Sequence, residues 1–411
     1  MRKIKRWVAL LCAALMAVAL LPAQVWAVEG SDGSAVGEEK IIREIPSCSY
    51  TYINPLLPHS GDDIALFNSG TEYAVLASDI GFPFFNTVQE AADYARAEFK
   101  KHDYLAAFMD IPVDFETIPQ EQWPAVCKEI GSQILEEMIR HDPQDPTGGD
   151  YLLYHCYGIG YYASTPEEGI CRVVLQTSGY LSSAEQEEAV TKEANKIIQS
   201  LHLDGLSDHE KIRAIYGWLC KNVTYDNSTP ANETEMLLQY SAYAALVKHT
   251  AVCQGYATAF YRLALMAGLD ARVITGTGDG VPHGWNIVKQ DGKWYYVDAT
   301  WDAGVAEKDW RFFLRAQLER HELDEKGKAV AAQYDLLTDF SVKVGDLNGS
   351  EGVDVTDVAM LYAYLVTGST GENALSSRSF QYAADVNGDG SIDVYDLQLL
   401  YETVCGINES P

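Results

Sequence analysis

Residues 251–257, Ala-Val-Cys-Gln-Gly-Tyr-Ala, begin the stretch on which the fold turns. Cys253 opens a helix-like run that continues to Ala267 and is closed by Gly268. Downstream, two strand-like segments, 283–289 and 294–298, are joined by Asp291-Gly292, a dipeptide suited to the tight turn of a β-hairpin. His283 begins the first segment and Asp298 ends the second. A thiol attacks as its thiolate, a form favoured by a helix N-terminus and a neighbouring imidazolium. The imidazole can then protonate a leaving amine, while a carboxylate fixes its tautomer and steadies its charge. Taken singly, the three residues also read as a buried thiol, a core histidine and a strand end. Together and in this order they predict an acyl-transfer site.

The surrounding residues resemble the transglutaminase-like superfamily, a papain-related fold class. The matching stretches are Ala251 to Ala257, His283-Gly284-Trp285-Asn286-Ile287-Val288, and Trp294-Tyr295-Tyr296-Val297-Asp298-Ala299-Thr300-Trp301-Asp302. Upstream, Lys211 to Asp226 looks like the helix and Tyr-Asp turn that precede the core in bacterial members. The resemblance covers about residues 205–320 and implies a catalytic triad of Cys253, His283 and Asp298. It also implies an α+β core in which a helix bearing the cysteine packs on an antiparallel sheet bearing the histidine and the aspartate.

The first 27 residues read as a signal peptide. Arg2, Lys3, Lys5 and Arg6 form a positive head, Trp7 to Leu21 is apolar, and Val25-Trp26-Ala27 offers a small-residue cleavage site. The apolar run is short for a membrane anchor, and Pro22 follows it directly. A secreted, extracellular protein without stable membrane insertion is expected. The formal net charge is −29, and removing the four cations of the leader makes it more negative still. Such a surface repels nucleic acid and anionic lipid. Cys48, Cys127, Cys156, Cys171, Cys220, Cys253 and Cys405 remain after cleavage. If Cys253 is the nucleophile, the other six could form three bridges, but a chain this large and 47% hydrophobic needs no staples. They are expected to be mostly unpaired and buried.

Residues 28–50 are small, polar and acidic and read as a flexible terminus. Residues 51–204 alternate helix-like and strand-like pieces and read as a small α/β accessory domain. Helices are expected over Val88–Lys101 and Glu121–Arg140, and strands over Tyr104–Ile111, 151–163 and 170–178. Ser183 and Gln186 have capping-box spacing before a further helix, as do Ser207 and Glu210 at the start of the core. The catalytic domain is expected over 205–340. Within it Asp309 to Leu318 looks helical, and the charged run Glu319 to Lys328 reads as a passage to the last module.

Residues 341–411 hold two copies of a twelve-residue pattern. The second runs from Asp385 to Asp396, with oxygen-bearing side chains at Asp385, Asn387, Asp389, Asp393 and Asp396, and Gly390 at the sharp turn before Ser391. Hard oxygen donors in this array suit Ca2+, as in an EF-hand loop. The first copy offers Asp346, Asn348, Ser350, Gly352 and Asp357, with Glu351 at the turn in place of glycine, so weaker binding is expected there. The duplicated loop–helix unit, about 342–407, resembles a type I dockerin. The resemblance implies an all-α, EF-hand-like module that docks onto a cohesin of a scaffoldin, as in cellulosomes. It also implies that Val355-Thr356 and Val394-Tyr395, with the helices that follow, help set cohesin choice.

The expected function is a secreted, scaffold-tethered cysteine enzyme acting on amide bonds of protein or peptide substrates through a thioester. Hydrolysis is favoured over transamidation, and no cofactor is expected for the chemistry. The alternatives are a non-catalytic peptide-binding subunit of the same complex, or a subunit contributing to polysaccharide degradation. The second would need two facing carboxylates, for which the core offers Asp298 and Asp302.

Overall fold

The computed structural model describes residues 48–57, 82–102, 106–166, 168–336, 342–350, 352–371 and 373–407. The leader 1–27, residues 28–47 and Glu351 lie outside the described residues. Among those described, no helix is long and apolar enough to cross a membrane.

The N-terminal unit comprises β1 (Cys48–Ile53), α1 (Val88–Lys100), β2 (Ala106–Pro112), α2 (Trp123–Met138), α3 (Gly149–His155), β3 (Gly158–Ser164) and β4 (Ile170–Thr177). Its strands form one antiparallel sheet in the order β1-β3-β4-β2. β1 takes in residues 48–50, which composition had assigned to a flexible terminus. Burial alternates along β4, so Cys171, Val173 and Leu175 meet Ala91, Ala95 and Phe99 of α1 and Ile134 and Met138 of α2 in one core. Trp123 stacks on Phe115 at 4.6 Å and packs against the same core.

Residues 151–155, expected as strand, form helix α3. The cause is tertiary. The Asp150 carboxylate accepts from Arg272 Nε and Nη2 at 2.8 and 2.9 Å and from the Val273 N–H at 2.8 Å. That anchor to the core sheet overrides the strand preference of the aromatic and aliphatic residues that follow.

Two helices lead into the core, α4 (Ala184–Leu201) and α5 (Asp208–Asn222), and both capping boxes are formed in full. Each such cap satisfies N–H groups left open in the first helical turn, typically stabilising the helix by about 1 kcal/mol. Then come β5 (Thr224–Tyr225), α6 (Glu233–Gln239), one π-helical turn at Ala244–Lys248, and β6 (Thr250–Ala251), which pairs in parallel with β5. Helix α7 (Cys253–Met266) is buried at every residue from Cys253 to Leu265. A helix enclosed on all sides occupies the centre of its domain. It packs on the antiparallel sheet of β7 (Ala271–Gly278), β8 (Val281–Gln290), β9 (Lys293–Val297) and β10 (His321–Leu323), ordered β10-β7-β8-β9. Asp291 and Gly292 both take positive φ, 48° and 83°, as the tight β8–β9 turn requires. Helix α8 (Glu325–Ala331) closes this unit.

The helix expected over Asp309–Leu318 does not form. A single 3-10 turn at Glu307–Asp309 is followed by bends. The backbone N–H groups of Arg311 and Phe312 are taken by the Asp302 carboxylate, each at 3.0 Å, and Arg315 exchanges two backbone hydrogen bonds with Tyr296. A helix would need those groups for itself. The charged run after it is likewise no mere passage, since it holds β10 and α8.

The C-terminal unit consists of α9 (Val355–Thr367), α10 (Ser377–Ala384) and α11 (Val394–Val404) around Leu347, Leu361, Phe380 and Leu400. It meets the core where Arg315 Nη1 donates to the Gly388 carbonyl at 2.8 Å and Arg378 pairs with Asp335. Cys127, Cys156, Cys171, Cys220 and Cys253 are buried and unbridged, and Cys405 is exposed and unbridged.

Candidate active site

Cys253 is the first residue of α7, and its N-cap Val252 has no side chain that could cap the helix. The first-turn N–H groups therefore stay available at the thiol's end of the helix, where the dipole favours negative charge. Three hydrogen bonds hold this end in place. The Asp226 N–H donates to Ala251 O at 2.9 Å, and Gln254 Nε2 donates to Tyr154 O at 2.8 Å and Tyr240 O at 3.2 Å. Gln254 thus ties the N-terminal unit to the cysteine helix and does not face a substrate.

His283 sits near the start of β8, opposite Gly276 of β7. Asp298 is the residue after β9, its N–H held by Phe312 O at 2.9 Å. Asn286, also on β8, spans the two layers by donating to Ala257 O of α7 and Arg272 O of β7, both at 3.0 Å. One side chain thereby fixes the height of the cysteine helix against the histidine strand.

The structure brings the three expected residues together. His283 Nε2 lies 2.7 Å from Asp298 Oδ2, and the His283 ring is near enough to the Cys253 thiol for the sulfur to favour its charged form. Since Nε2 is occupied, Nδ1 is the nitrogen that serves the thiol. Burial acts to lower the basicity of His283, but the adjacent Asp298 carboxylate outweighs it and raises the pKa to about 10. Burial of Asp298 works upward, yet His283 and hydrogen bonds from His283 and His321 hold it well below the usual carboxylate range. The pairing therefore favours an imidazolium at His283 and a carboxylate at Asp298. Cys253 and His283 each keep 6% exposure while Asp298 keeps 1%, so the first two can meet a substrate and the third acts from behind.

His321 is the residue that sequence reasoning missed. Its Nε2 is 3.1 Å from Asp298 Oδ2, the oxygen that His283 uses, and its Nδ1 is 2.8 Å from Glu319 O. No sequence signal marks it, because β10 is three residues long and lies inside a charged run. His283, Asp298 and His321 are also the one group of three His, Cys, Asp or Glu side chains among the described residues whose ligand atoms all lie within 4.8 Å of one another. Their 2.7 and 3.1 Å separations are those of hydrogen bonds already made.

Asp302 is 1% exposed, and its oxygens accept from Tyr216 OH at 2.6 Å and from two backbone N–H groups. Asp298 is equally enclosed, its Oδ1 accepting from Thr300 N at 2.9 Å. These two carboxylates do not face each other across a groove, so they do not make a glycosidase pair.

The two C-terminal loops share one hydrogen-bond pattern. Asp357 accepts from Leu347 N and Asp354 N, both at 2.8 Å; Asp396 accepts from Asn387 N and Asp393 N at 3.0 and 2.9 Å. Asp385 Oδ1 is buried with no hydrogen-bond partner. Burial, then repulsion from Asp396 and Asp389, pushes Asp385 up to about 6. An orphaned buried oxygen facing other carboxylates fits a hard cation, and Asp385, Asn387, Asp389, Ser391 and Asp396 are the residues that would hold Ca2+ there. In the first loop Ser350 Oγ is spent on Gly352 O at 3.1 Å, and Asp346 Oδ1 accepts from Ser350 N at 3.0 Å. Asp346, Asn348, Ser350, Gly352 and Asp357 are the residues that would hold Ca2+ in this loop. On the outer face, Val355, Tyr362, Val394, Tyr395 and Tyr401 are all more than half exposed, on the paired helices α9 and α11.

A cysteine at a helix N-terminus, faced by a histidine and an aspartate on an antiparallel sheet, defines an α+β core. Residues 195–299 match the model of the transglutaminase-like superfamily, and residues 344–404 match the type I dockerin domain. The chain thus carries a transglutaminase-like core followed by a type I dockerin. It is 26% identical to kyphoscoliosis peptidase of Mus musculus over 210 residues, which cover 47% of this chain and 30% of that protein. The chain therefore spans less than a third of that curated relative. A solved structure described as a TGase is 17% identical and aligns over 51% of this chain and 56% of its own, with a TM-score of 0.27. A cysteine protease-like structure from Cytophaga hutchinsonii is 16% identical over 32% of this chain and 52% of its own, with a TM-score of 0.22.

Proposed function

We propose that this chain is a secreted cysteine enzyme that acts on amide bonds of proteins or peptides and is carried on a cohesin-bearing scaffold by its dockerin. The observation that carries the reading is the line from the Cys253 thiol through His283 to Asp298, with the sulfur at an uncapped helix start. The Cys253 sulfur attacks the carbonyl carbon, and the negative charge that develops on oxygen is met by the Cys253 N–H. The His283 imidazolium gives its proton to the departing amine as the C–N bond breaks, leaving a thioester. Water, deprotonated by the now neutral His283, adds to the thioester and releases the acid and the free thiol. Asp298 orients the ring and stays ionised throughout. Hydrolysis is favoured over transfer to an amine because water is abundant in an extracellular site. The leader read at residues 1–27 supplies the route of export.

Calcium folds the dockerin loops, and the exposed face built by Val355, Tyr362, Val394 and Tyr401 supplies apolar area for a cohesin. The test has two parts. Cys253→Ala should abolish release of new amines from a casein digest while leaving calcium-dependent cohesin binding intact. Adding a labelled primary amine then separates the two fates of the thioester: incorporation marks a transferase, and its absence with continued cleavage marks a hydrolase. Unchanged cleavage in Cys253→Ala would refute Cys253 as the nucleophile, and no cleavage by the unaltered protein would refute the enzyme reading.

A further inference from the structure

We propose that His321 is a fourth member of the site, a buried imidazolium that acts through Asp298 to hold the catalytic pair in its ionised form. The inference rests on the proposed role of Cys253 and deepens it. His321 is 1% exposed and has two ring nitrogens, each facing an atom that can only accept: Glu319 O at 2.8 Å and Asp298 Oδ2 at 3.1 Å. A neutral imidazole has one N–H and would set a lone pair against one of these oxygens; the doubly protonated ring satisfies both. The rings of Trp285, Trp301 and Phe312 lie with centroids 4.9, 4.4 and 5.7 Å away, and aromatic faces favour a cation.

The consequence is a matter of charge. A Cys253 thiolate, a His283 imidazolium and an Asp298 carboxylate carry one net negative charge in a buried site, which disfavours ionising the thiol. With His321 as a cation the four alternate in sign and sum to zero. The other charged groups around it do not alter this balance. Glu319 pairs with Arg311 and Arg320 with Asp279 at the surface, Glu322 points outward from β10, and Asp302 faces Tyr216 and backbone N–H groups. Tyr382 of α10 approaches Glu319 from the dockerin side. His321 also shares the Asp298 oxygen that His283 uses, so it fixes which oxygen faces the catalytic ring.

The test is the pH dependence of Cys253 alkylation by iodoacetamide, followed by peptide mapping, in the full chain and in His321→Gln. The glutamine amide can still donate to Asp298 but brings no charge. The rate at pH 6 should fall about tenfold, the effect of displacing the profile by one pH unit, while the rates at pH 10 agree within about twofold. A uniform loss at all pH values, or equal rates at pH 6, overturns the role of His321. Slow alkylation of the unaltered protein at pH 6 overturns the proposed role of Cys253 as well. Should the variant not fold, 15N-edited spectra of the unaltered imidazoles decide the matter. Two rings, those of His283 and His321, should each show two protected N–H groups at pH 8, and the His321 pair should persist in His283→Gln. A single N–H on His321 refutes the proposal.

Discussion

Replacing Asp298 with asparagine removes the charge that keeps His283 protonated while preserving the shape of the side chain. His283 lies at about 10 against an ordinary 6.5, although burial alone would take it lower. At about 1.4 kcal/mol per pH unit, the difference amounts to about 5 kcal/mol in favour of the imidazolium. The two side chains are 7% and 0% exposed, so solvent screens little of it. A basic group raised in the folded state contributes stability that is complete below pH 6.5 and is lost as pH rises through about 10. Without the carboxylate, burial acts against the charged ring and only Cys253 still supports it, so His283 should titrate well below 10. Imidazole 15N–1H spectra from pH 5 to 11 would follow this directly, with His283→Gln for assignment. The alkaline loss of stability in urea unfolding should disappear in the same variant. A His283 that still titrates near 10 in Asp298→Asn would refute the assignment of its charge to this pair.

Three further outcomes are expected. A methyl group added at Gly278 would lie 2.9 Å from Trp301 and 3.2 Å from the His283 ring, so Gly278→Ala should cut the rate of Cys253 chemistry at least tenfold with little change in unfolding midpoint. Loss of stability without loss of rate would contradict that placement. Arg272→Met strands the buried Asp150 carboxylate, which should cost about 3–5 kcal/mol in chemical denaturation; a change under about 1 kcal/mol would show that the pair is open to water. Because Asp385 is raised to about 6, protons compete with calcium at the second loop, and calcium affinity should weaken steadily as pH falls below 6. Calorimetric titration at pH 7.5 and 5 checks this, and equal affinities would point to other ligands.

The parts of the fold that could be read in the sequence are those set by local chemistry. Ser183 and Ser207 with their partners three residues on announce helix starts, Asp291-Gly292 announces a hairpin, and the alternating oxygens from Asp385 announce a cation loop; each signal lies within a dozen residues. The misread parts are those decided from afar. Tyr151 to His155 is helical because Asp150 is held by Arg272, more than a hundred residues on. The stretch after Asp309 is not helical because Asp302 claims its N–H groups. His321 was hidden for the same reason. A three-residue strand has no period to detect, and its partner Asp298 is adjacent only once β10 joins the sheet edge beside β7. Within the site, Cys253, His283 and Asp298 could be named because each stands at the end of an element with its own signal.

The most direct measurement compares two cysteines of the same chain. Cys253 is 6% exposed, whereas Cys405 is exposed at the end of α11. Accessibility alone would have iodoacetamide label Cys405 first. If Cys253 is held as a thiolate beside His283, mapping after brief exposure at pH 6 should find it modified well ahead of Cys405. Labelling of Cys405 alone, with Cys253 reacting only after denaturation, would contradict the account.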